Sequence, residues 1–295
     1  MIIVRLRGGL GNQLFQFAAS YALARHHNVE LKSDLYTYKK HPLRKYELHH
    51  FNISLPEASR EEVHRFTGSN FVTRYLNKKN NYFNCPAVFA QPHYHFYEDF
   101  FSLPSHIYLS GYWQSEKYFS SVADSLRKMI TPAQKMDARN EDVLSAVRSS
   151  ESIAVHIRRT DYNPASFFQP MGLEYYRSAL EFMKRKITNP SYFIFSDDIA
   201  WSREQLGDLS NATFIDHNKG DDSFKDLLLM SSCKNQIIAN STFSWWAAWL
   251  NNSPQKTVVA PQTWFHNTWT NKKEPVYPSR FYNTKDLIPS TWTRL

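Results

Sequence analysis

Ser152-Ile153-Ala154-Val155-His156-Ile157-Arg158-Arg159-Thr160-Asp161-Tyr162 passes from an apolar run straight into charge. Ser152 to Ile157 reads as a buried strand, and it stops where two guanidiniums begin. Downstream the pattern repeats. Leu173 to Ile187 carries Leu173, Tyr176, Leu180, Met183 and Ile187 at helical spacing. Tyr192 to Phe195 is a strand that stops at Ser196-Asp197-Asp198. Thr213 to Ile215, Gln236 to Ala239 and Thr257 to Ala260 read as further strands, with helices at Ile199 to Gln205, Phe224 to Ser231 and Phe243 to Leu250. Strands alternating with helices imply a parallel sheet covered on both faces. Such sheets take ligands beyond the carboxyl ends of their strands, where the polar clusters of this chain lie.

Upstream, Ile2 to Leu6 is a strand followed by Gly8, Gly9 and Gly11, three of only eight glycines in the chain. That concentration marks a backbone that turns tightly or approaches something closely. Asn12 stands where a helix N-cap belongs, and Leu14, Phe17, Ala18, Tyr21 and Ala22 give one apolar helical face. The amides at this helix start can face an anion. Residues 36 to 115 have weak periodicity, with helices expected near 57–66 and 69–78. Gly111-Tyr112-Trp113-Gln114 reads as a strand end, and 116–130 as a helix.

A chain of 295 residues fits two domains at roughly 150 residues each. The net charge of +8 and a pI near 9.3 favour an acidic partner. The basic residues are scattered, and no zinc-finger spacing or RNA-binding aromatic motif is present, so no nucleic acid is expected. Two cysteines cannot build a disulfide framework, which suits a reducing compartment. Met1 to Leu6 has no signal-peptide pattern, and no apolar run approaches the ~18 residues of a membrane span.

Adjacent arginines stay charged, so Arg158 and Arg159 do not both suit a core. One can fork onto a phosphate while the other pairs with a carboxylate such as Asp161; the alternative is a surface pair bridging to acidic neighbours. Asp197 and Asp198 can accept N–H donors of a base or ribose hydroxyls, or Asp198 can cap the following helix. Asn240-Ser241-Thr242-Phe243 opens a helix whose N-terminus suits a phosphate. Trp245, Trp246 and Trp249 read as packing. The chain contains no Asp-x-Asp and no zinc spacing, so clustered metal carboxylates are missing from the sequence. No Gly-Lys-Ser/Thr follows the glycine turn, and the third dinucleotide-fingerprint glycine is absent, which argues against a Walker loop and a nicotinamide cofactor.

Four segments, Gly8 to Gln16, His156 to Tyr162, Phe195 to Asp198 and Asn240 to Leu250, together resemble the bacterial α-1,2-fucosyltransferases of glycosyltransferase family 11. Thr160 and Ala247 stand where glycine is frequent in that family. The resemblance implies an α/β GT-B fold of two Rossmann-like lobes with the active site in the cleft between them. The N-terminal lobe would be 1–148, carrying the glycine turn 8–13 on the acceptor side. The donor lobe would be 149–295, with a C-terminal tail able to pack back on the first lobe.

The implied reaction is inverting transfer of L-fucose from GDP-β-L-fucose to the 2-hydroxyl of a β-galactoside, without metal or other cofactor. The acceptor would be an oligosaccharide or lipid-linked glycan precursor, as in O-antigen or capsule synthesis. The enzyme would work in the bacterial cytoplasm, with no transmembrane segment, at most touching the inner face of the membrane. Arg158 would contact the β-phosphate, with Arg159 beside it. His156 and Asp197 or Asp198 would contact the nucleoside, and Ser241, Thr242 and Phe243 would line phosphates and base. Asn12 would face the reaction centre, and Asp161 belongs to the same motif as Arg158. Rival readings are a fucosyltransferase of other linkage or acceptor, a non-catalytic nucleotide-sugar or carbohydrate binder, and a phosphoryl-transfer enzyme; the last is disfavoured by the missing metal carboxylates and Walker lysine.

Overall fold

The computed structural model describes residues 1–40, 44–68, 87–159, 169–265 and 283–295. The chain divides into two units, Met1–Thr131 with Tyr277–Pro289, and Pro132–Val276 with Ser290–Leu295.

The first unit runs β1 (Ile2–Arg5), α1 (Leu10–His27), β2 (Leu31–Asp34), α2 (Tyr36–Lys40), α3 (Arg60–Thr67), β3 (Val88–Ala90), β4 (Ile107–Ser110) and α4 (Ala123–Met129). Its strands pair in parallel in the order β2-β1-β4-β3. Helix α1 is buried on more than one apolar face: Gln13, Gln16 and Ser20 are fully buried alongside Leu14, Phe15 and Ala18. Polar side chains in that position need internal partners. Ser20 bonds back to the Gln16 carbonyl at 2.6 Å, and the glutamines serve the glycine turn described below.

Helix α3 starts three residues later than expected, fixed by a capping box between Ser59 and Glu62. The helix expected at 69–78 lies outside the described residues. The helix expected over 116–130 is only α4 in its second half. Before it come two short 3₁₀ turns, Glu116–Tyr118 and Ser120–Val122. Phe119 interrupts them with a non-helical φ of −141° because both Tyr118 and Phe119 are drawn fully into the core.

The second unit runs α5 (Ala138–Arg148), β5 (Glu151–Ile157), α6 (Leu173–Lys186), β6 (Pro190–Ser196), α7 (Ile199–Leu206), β7 (Ala212–Ile215), α8 (Phe224–Ser232), β8 (Asn235–Ile237), α9 (Thr242–Leu250), β9 (Val258–Ala260) and β10 (Thr293–Arg294). The order is β10-β9-β8-β5-β6-β7, again parallel throughout the described pairings. Ile153, Val155 and Ile157 of β5 pack under Tyr176, Leu180 and Met183 of α6. The strand's period of two then sends Ala154 and His156 to the other face.

The division falls after Thr131, whereas the sequence reading set it after residue 148. The difference is α5, which packs on α8 and β5 of the second unit. Asp137 caps it, accepting the Asn140 N–H at 3.1 Å. Tyr277–Pro289 counts with the first unit. There the Asp286 carboxylate accepts the Phe96 N–H at 3.1 Å and meets Lys117 Nζ at 2.6 Å.

In each sheet the first strand lies inside, and the strand order reverses beside it: at β1/β4 in one unit and β5/β8 in the other. Connections leave such a reversal in opposite directions and open a crevice at the carboxyl ends.

Candidate active site

At the reversal in the second sheet, β5 and β6 run in register with Ile157 opposite Ser196. One further step on each strand brings Arg158 level with Asp197, and another brings Arg159 level with Asp198. The side chains pair in that order: Arg158 Nε lies 3.2 Å from Asp197 Oδ2, and Arg159 Nε lies 3.5 Å from Asp198 Oδ2. The Arg159 N–H also donates to Asp197 Oδ1 at 2.8 Å. The Arg159 guanidinium stacks over the Trp201 ring at 3.9 Å. Asp198 also caps α7, accepting the Trp201 N–H at 3.1 Å. The cap and the carboxylate-to-ligand readings therefore meet a third outcome: both aspartates hold arginines. All four side chains are between a fifth and a third exposed. Pairs that open are worth little as stability, but they do fix the orientation of a guanidinium.

The other side of the reversal is the link from β8 into α9. Ser241 is the N-cap, its Oγ accepting the Phe243 N–H at 3.3 Å. The His156 and Phe243 rings stand 5.7 Å apart across the reversal. His156 is buried, as is Asn240, whose side-chain amide donates to the Gln169 and Trp264 carbonyls at 3.0 and 3.2 Å. Thr242 is the first residue of α9. The tryptophans pack as expected: Trp245, Trp246 and Trp249 are buried, and Trp245 meets the Trp292 ring. The second unit thus gathers His156, Arg158, Arg159, Asp197, Asp198, Ser241, Thr242 and Phe243 around one strand reversal. Two oriented cations beside a helix N-terminus suit an anion.

In the first unit the glycine turn leads from β1 into α1. The expected N-cap role of Asn12 is not realised. Gly9 occupies that position, and Asn12 is the third residue of the helix. The turn is held from beneath by glutamines. Gln16 Oε1 accepts the Arg7 N–H at 2.9 Å and its Nε2 donates to the Arg7 carbonyl at 3.3 Å. Gln13 Nε2 and the Tyr38 hydroxyl donate to the Gly8 carbonyl at 3.2 and 2.9 Å. These side chains supply what a neighbouring strand no longer does once β1 has ended. Asn12 Oδ1 in turn accepts from Gln114 Nε2 at 2.7 Å, so the two strand ends of this reversal meet.

A profile of glycosyl transferase family 11 matches residues 1–282. The chain belongs to this family. It is 34% identical to an α-1,2-colitosyltransferase of Escherichia coli over all of this chain and 99% of that one. It is 31% identical to the E. coli O-antigen biosynthesis glycosyltransferase WbnK, covering 88% of this chain and 93% of that one. At 23% it is also related to the Mus musculus galactoside 2-α-L-fucosyltransferase Sec1, over 91% of this chain and 73% of the relative. Among solved structures, NodZ α-1,6-fucosyltransferase co-crystallised with GDP superimposes with a TM-score of 0.52 at 16% identity, over 84% of this chain and 91% of NodZ. The fold class is therefore GT-B, and the chain is a family 11 glycosyltransferase related to the 2-α-fucosyltransferases.

In this family 11 chain Asp161 and Thr160 lie outside the described residues. Among the described residues, no group of three or more His, Cys, Asp or Glu stands together as a metal cage. No described helix is long and apolar enough to cross a membrane. One group went unnoticed in the sequence. Asp226, near the start of α8, accepts from Asn218 Nδ2 at 2.7 Å, and burial pushes its carboxyl up to about 7. Its position in Phe224-Lys225-Asp226-Leu227 reads as a first-turn helix acid, and nothing local announces that it is buried.

Proposed function

We propose that this protein transfers a 6-deoxy-L-hexose, L-fucose first, from its β-linked GDP donor to the 2-hydroxyl of a β-galactoside in a glycan precursor. The observation that carries the reading is the pair Arg158–Asp197 and Arg159–Asp198 at the carboxyl end of β5, whose neighbour β8 leads into the N-terminus of α9, with His156 and Phe243 in ring contact between the two.

In this reading the donor C1–O bond breaks and GDP leaves with the electron pair. Arg158, assisted by Arg159 and the α9 N-terminus, takes up the new negative charge as it forms. Asp197 and Asp198 keep the guanidiniums aimed. The acceptor oxygen attacks the opposite face of C1, which inverts the anomeric centre, and its proton passes to solvent. Ser241, Thr242, Phe243 and His156 line the nucleotide, and Asn12 meets the sugar side. Arginines and backbone amides carry the charge in this scheme, so turnover is expected to persist in excess EDTA. A rate restored only by magnesium or manganese would contradict it. The setting we infer is a reducing bacterial cytoplasm, with an O-antigen-type precursor as acceptor, in line with the O-antigen relative.

A second reading keeps the reaction and changes the sugar. The 34% relative is a colitosyltransferase, and colitose lacks the 3-hydroxyl of fucose. A site that bonds that hydroxyl rejects the deoxy sugar by about 10⁴, whereas an apolar site separates the two poorly. GDP release from GDP-fucose and GDP-colitose, each with lactose, N-acetyllactosamine and galactosyl-β-1,3-N-acetylhexosamine, decides the donor. Linkage analysis of the product then decides the position. No GDP release with any combination would favour a non-catalytic binder.

A further inference from the structure

Asn12 does not hold its amide alone. Gln114 follows β4 and is buried, and its Nε2 donates to Asn12 Oδ1 at 2.7 Å. Behind it the Tyr94 hydroxyl, also buried, donates to Gln114 Oε1. A phenol that donates fills the oxygen end of Gln114. With the oxygen end so engaged, the nitrogen end of Gln114 faces Asn12, and Asn12 Oδ1 is held as an acceptor. What remains is the Asn12 N–H₂, which lies directly over the glycine turn, 2.6 Å from where a Cβ on Gly8 would stand.

The surroundings are built to keep Gln114 in place. Gln91 Oε1 accepts the N–H groups of Tyr112 and Trp113 at 2.7 and 3.2 Å, pinning the exit of β4. Trp113, fully buried, holds a left-handed φ of 56°, a strained conformation for a bulky residue. Gly8 has φ of 82° and no room for a side chain beneath the Asn12 amide. A neutral, buried chain of this kind costs desolvation unless every member is satisfied. Its open end is a donor above the β1/β4 reversal.

We propose that Tyr94 and Gln114 are positioning residues that lock the Asn12 side chain with its N–H₂ toward the ligand, as a donor to a sugar oxygen. The proposal rests on the reading that the glycine turn faces substrate.

Two measurements test it. Side-chain amide spectra of the protein labelled with ¹⁵N at Asn and Gln need no substrate. Tyr94→Phe is expected to shift the Gln114 and Asn12 amide signals and leave those of Gln13 and Gln16 in place. Unmoved Asn12 signals would overturn the proposal. Kinetics follow with lactose and GDP-fucose or GDP-colitose, whichever the donor panel selects. Assayed at pH 9, where a buried carboxyl has lost its proton, Gln114→Glu offers only acceptors, so Asn12 turns its N–H₂ inward and shows its oxygen instead. We expect kcat to fall about a hundredfold with donor KM near wild type. Wild-type kcat in Gln114→Glu alongside loss in Asn12→Ala would overturn the positioning role. Wild-type turnover in Asn12→Ala would overturn the substrate-facing reading beneath it, while the amide spectra would still report whether the chain exists.

Discussion

Both sheets reverse their strand order beside their first strand, and they furnish the reversals with opposite chemistry. In the second unit the strand ends carry ion pairs that are partly open: Arg158 with Asp197, Arg159 with Asp198. In the first they carry neutral amides and a phenol: Asn12, Gln114 and Tyr94. One topology therefore makes two kinds of crevice. An anionic leaving group calls for fixed cations; a sugar hydroxyl calls for directional neutral donors and gains nothing from charge. Under the proposed function that division of labour predicts different responses to substitution in the two crevices.

The largest effect is expected at Arg158. Under the proposed function Arg158→Ala removes the charge assigned to the departing diphosphate and should lower kcat by about 10²–10³, roughly 3–4 kcal/mol of transition-state stabilisation. The thermal midpoint should stay close to wild type, because a partly exposed pair contributes little to folding. Arg158→Lys should be nearly as poor, since a point charge does not reproduce a planar fork. Turnover near wild type in Arg158→Ala would erase the contrast between the crevices.

Next is a stability effect with a pH signature. The folded Asp226 carboxyl keeps its proton up to about 7, while the unfolded one releases it near its ordinary value of about 4. The folded state therefore binds more protons across that window. Stability falls as pH rises from about 4 to about 7 and is level above, a loss on the order of a few kcal/mol. Asp226→Asn still offers an oxygen to Asn218 and carries no charge, so it should melt higher than wild type at pH 8 and about equally at pH 4. Parallel melting curves across the range would refute the buried-carboxyl account.

Third, Gln16→Leu tests whether the neutral side depends on its supports. It strips the Arg7 N–H and carbonyl of their partners and should cost about 1–3 kcal/mol in urea unfolding. An unchanged midpoint would mean that the turn holds itself.

Much of this was legible in the chain itself. The alternation after residue 150 announced a parallel sheet, and the charged segments announced where its strands end. Each motif sits immediately after an apolar run, so strand end and polar cluster are written side by side. The first unit was harder. Its strands β1 to β4 span three or four residues each, too short for a period to show. Tyr118 and Phe119 are buried through tertiary contact rather than by helical spacing. The link from Asn12 to Gln114 spans 102 positions, and no local pattern encodes it. The pairing of Arg158 with Asp197 was likewise invisible until the β5–β6 register was known; the sequence alone pointed to Asp161 as the partner.

The smallest expected change in stability is also the sharpest probe of the contrast. Asp197→Asn removes one side of a pair in which both side chains are about a fifth to a quarter exposed, so unfolding should shift by less than about 1 kcal/mol. The carbonyl oxygen of the substituted amide can still accept the Arg159 N–H, and the strand ends stay in register. What is lost is the carboxylate that holds Arg158 by Nε, and with it the aim of the guanidinium. If aiming is the function of this aspartate, kcat falls roughly tenfold or more while GDP affinity holds or rises, because a guanidinium released from its carboxylate can follow the ground-state phosphate. If the carboxylate instead contacts the nucleoside directly, GDP affinity falls with kcat. Calorimetric titration of GDP against Asp197→Asn therefore separates an arginine holder from a base or ribose contact, two roles the sequence could not distinguish.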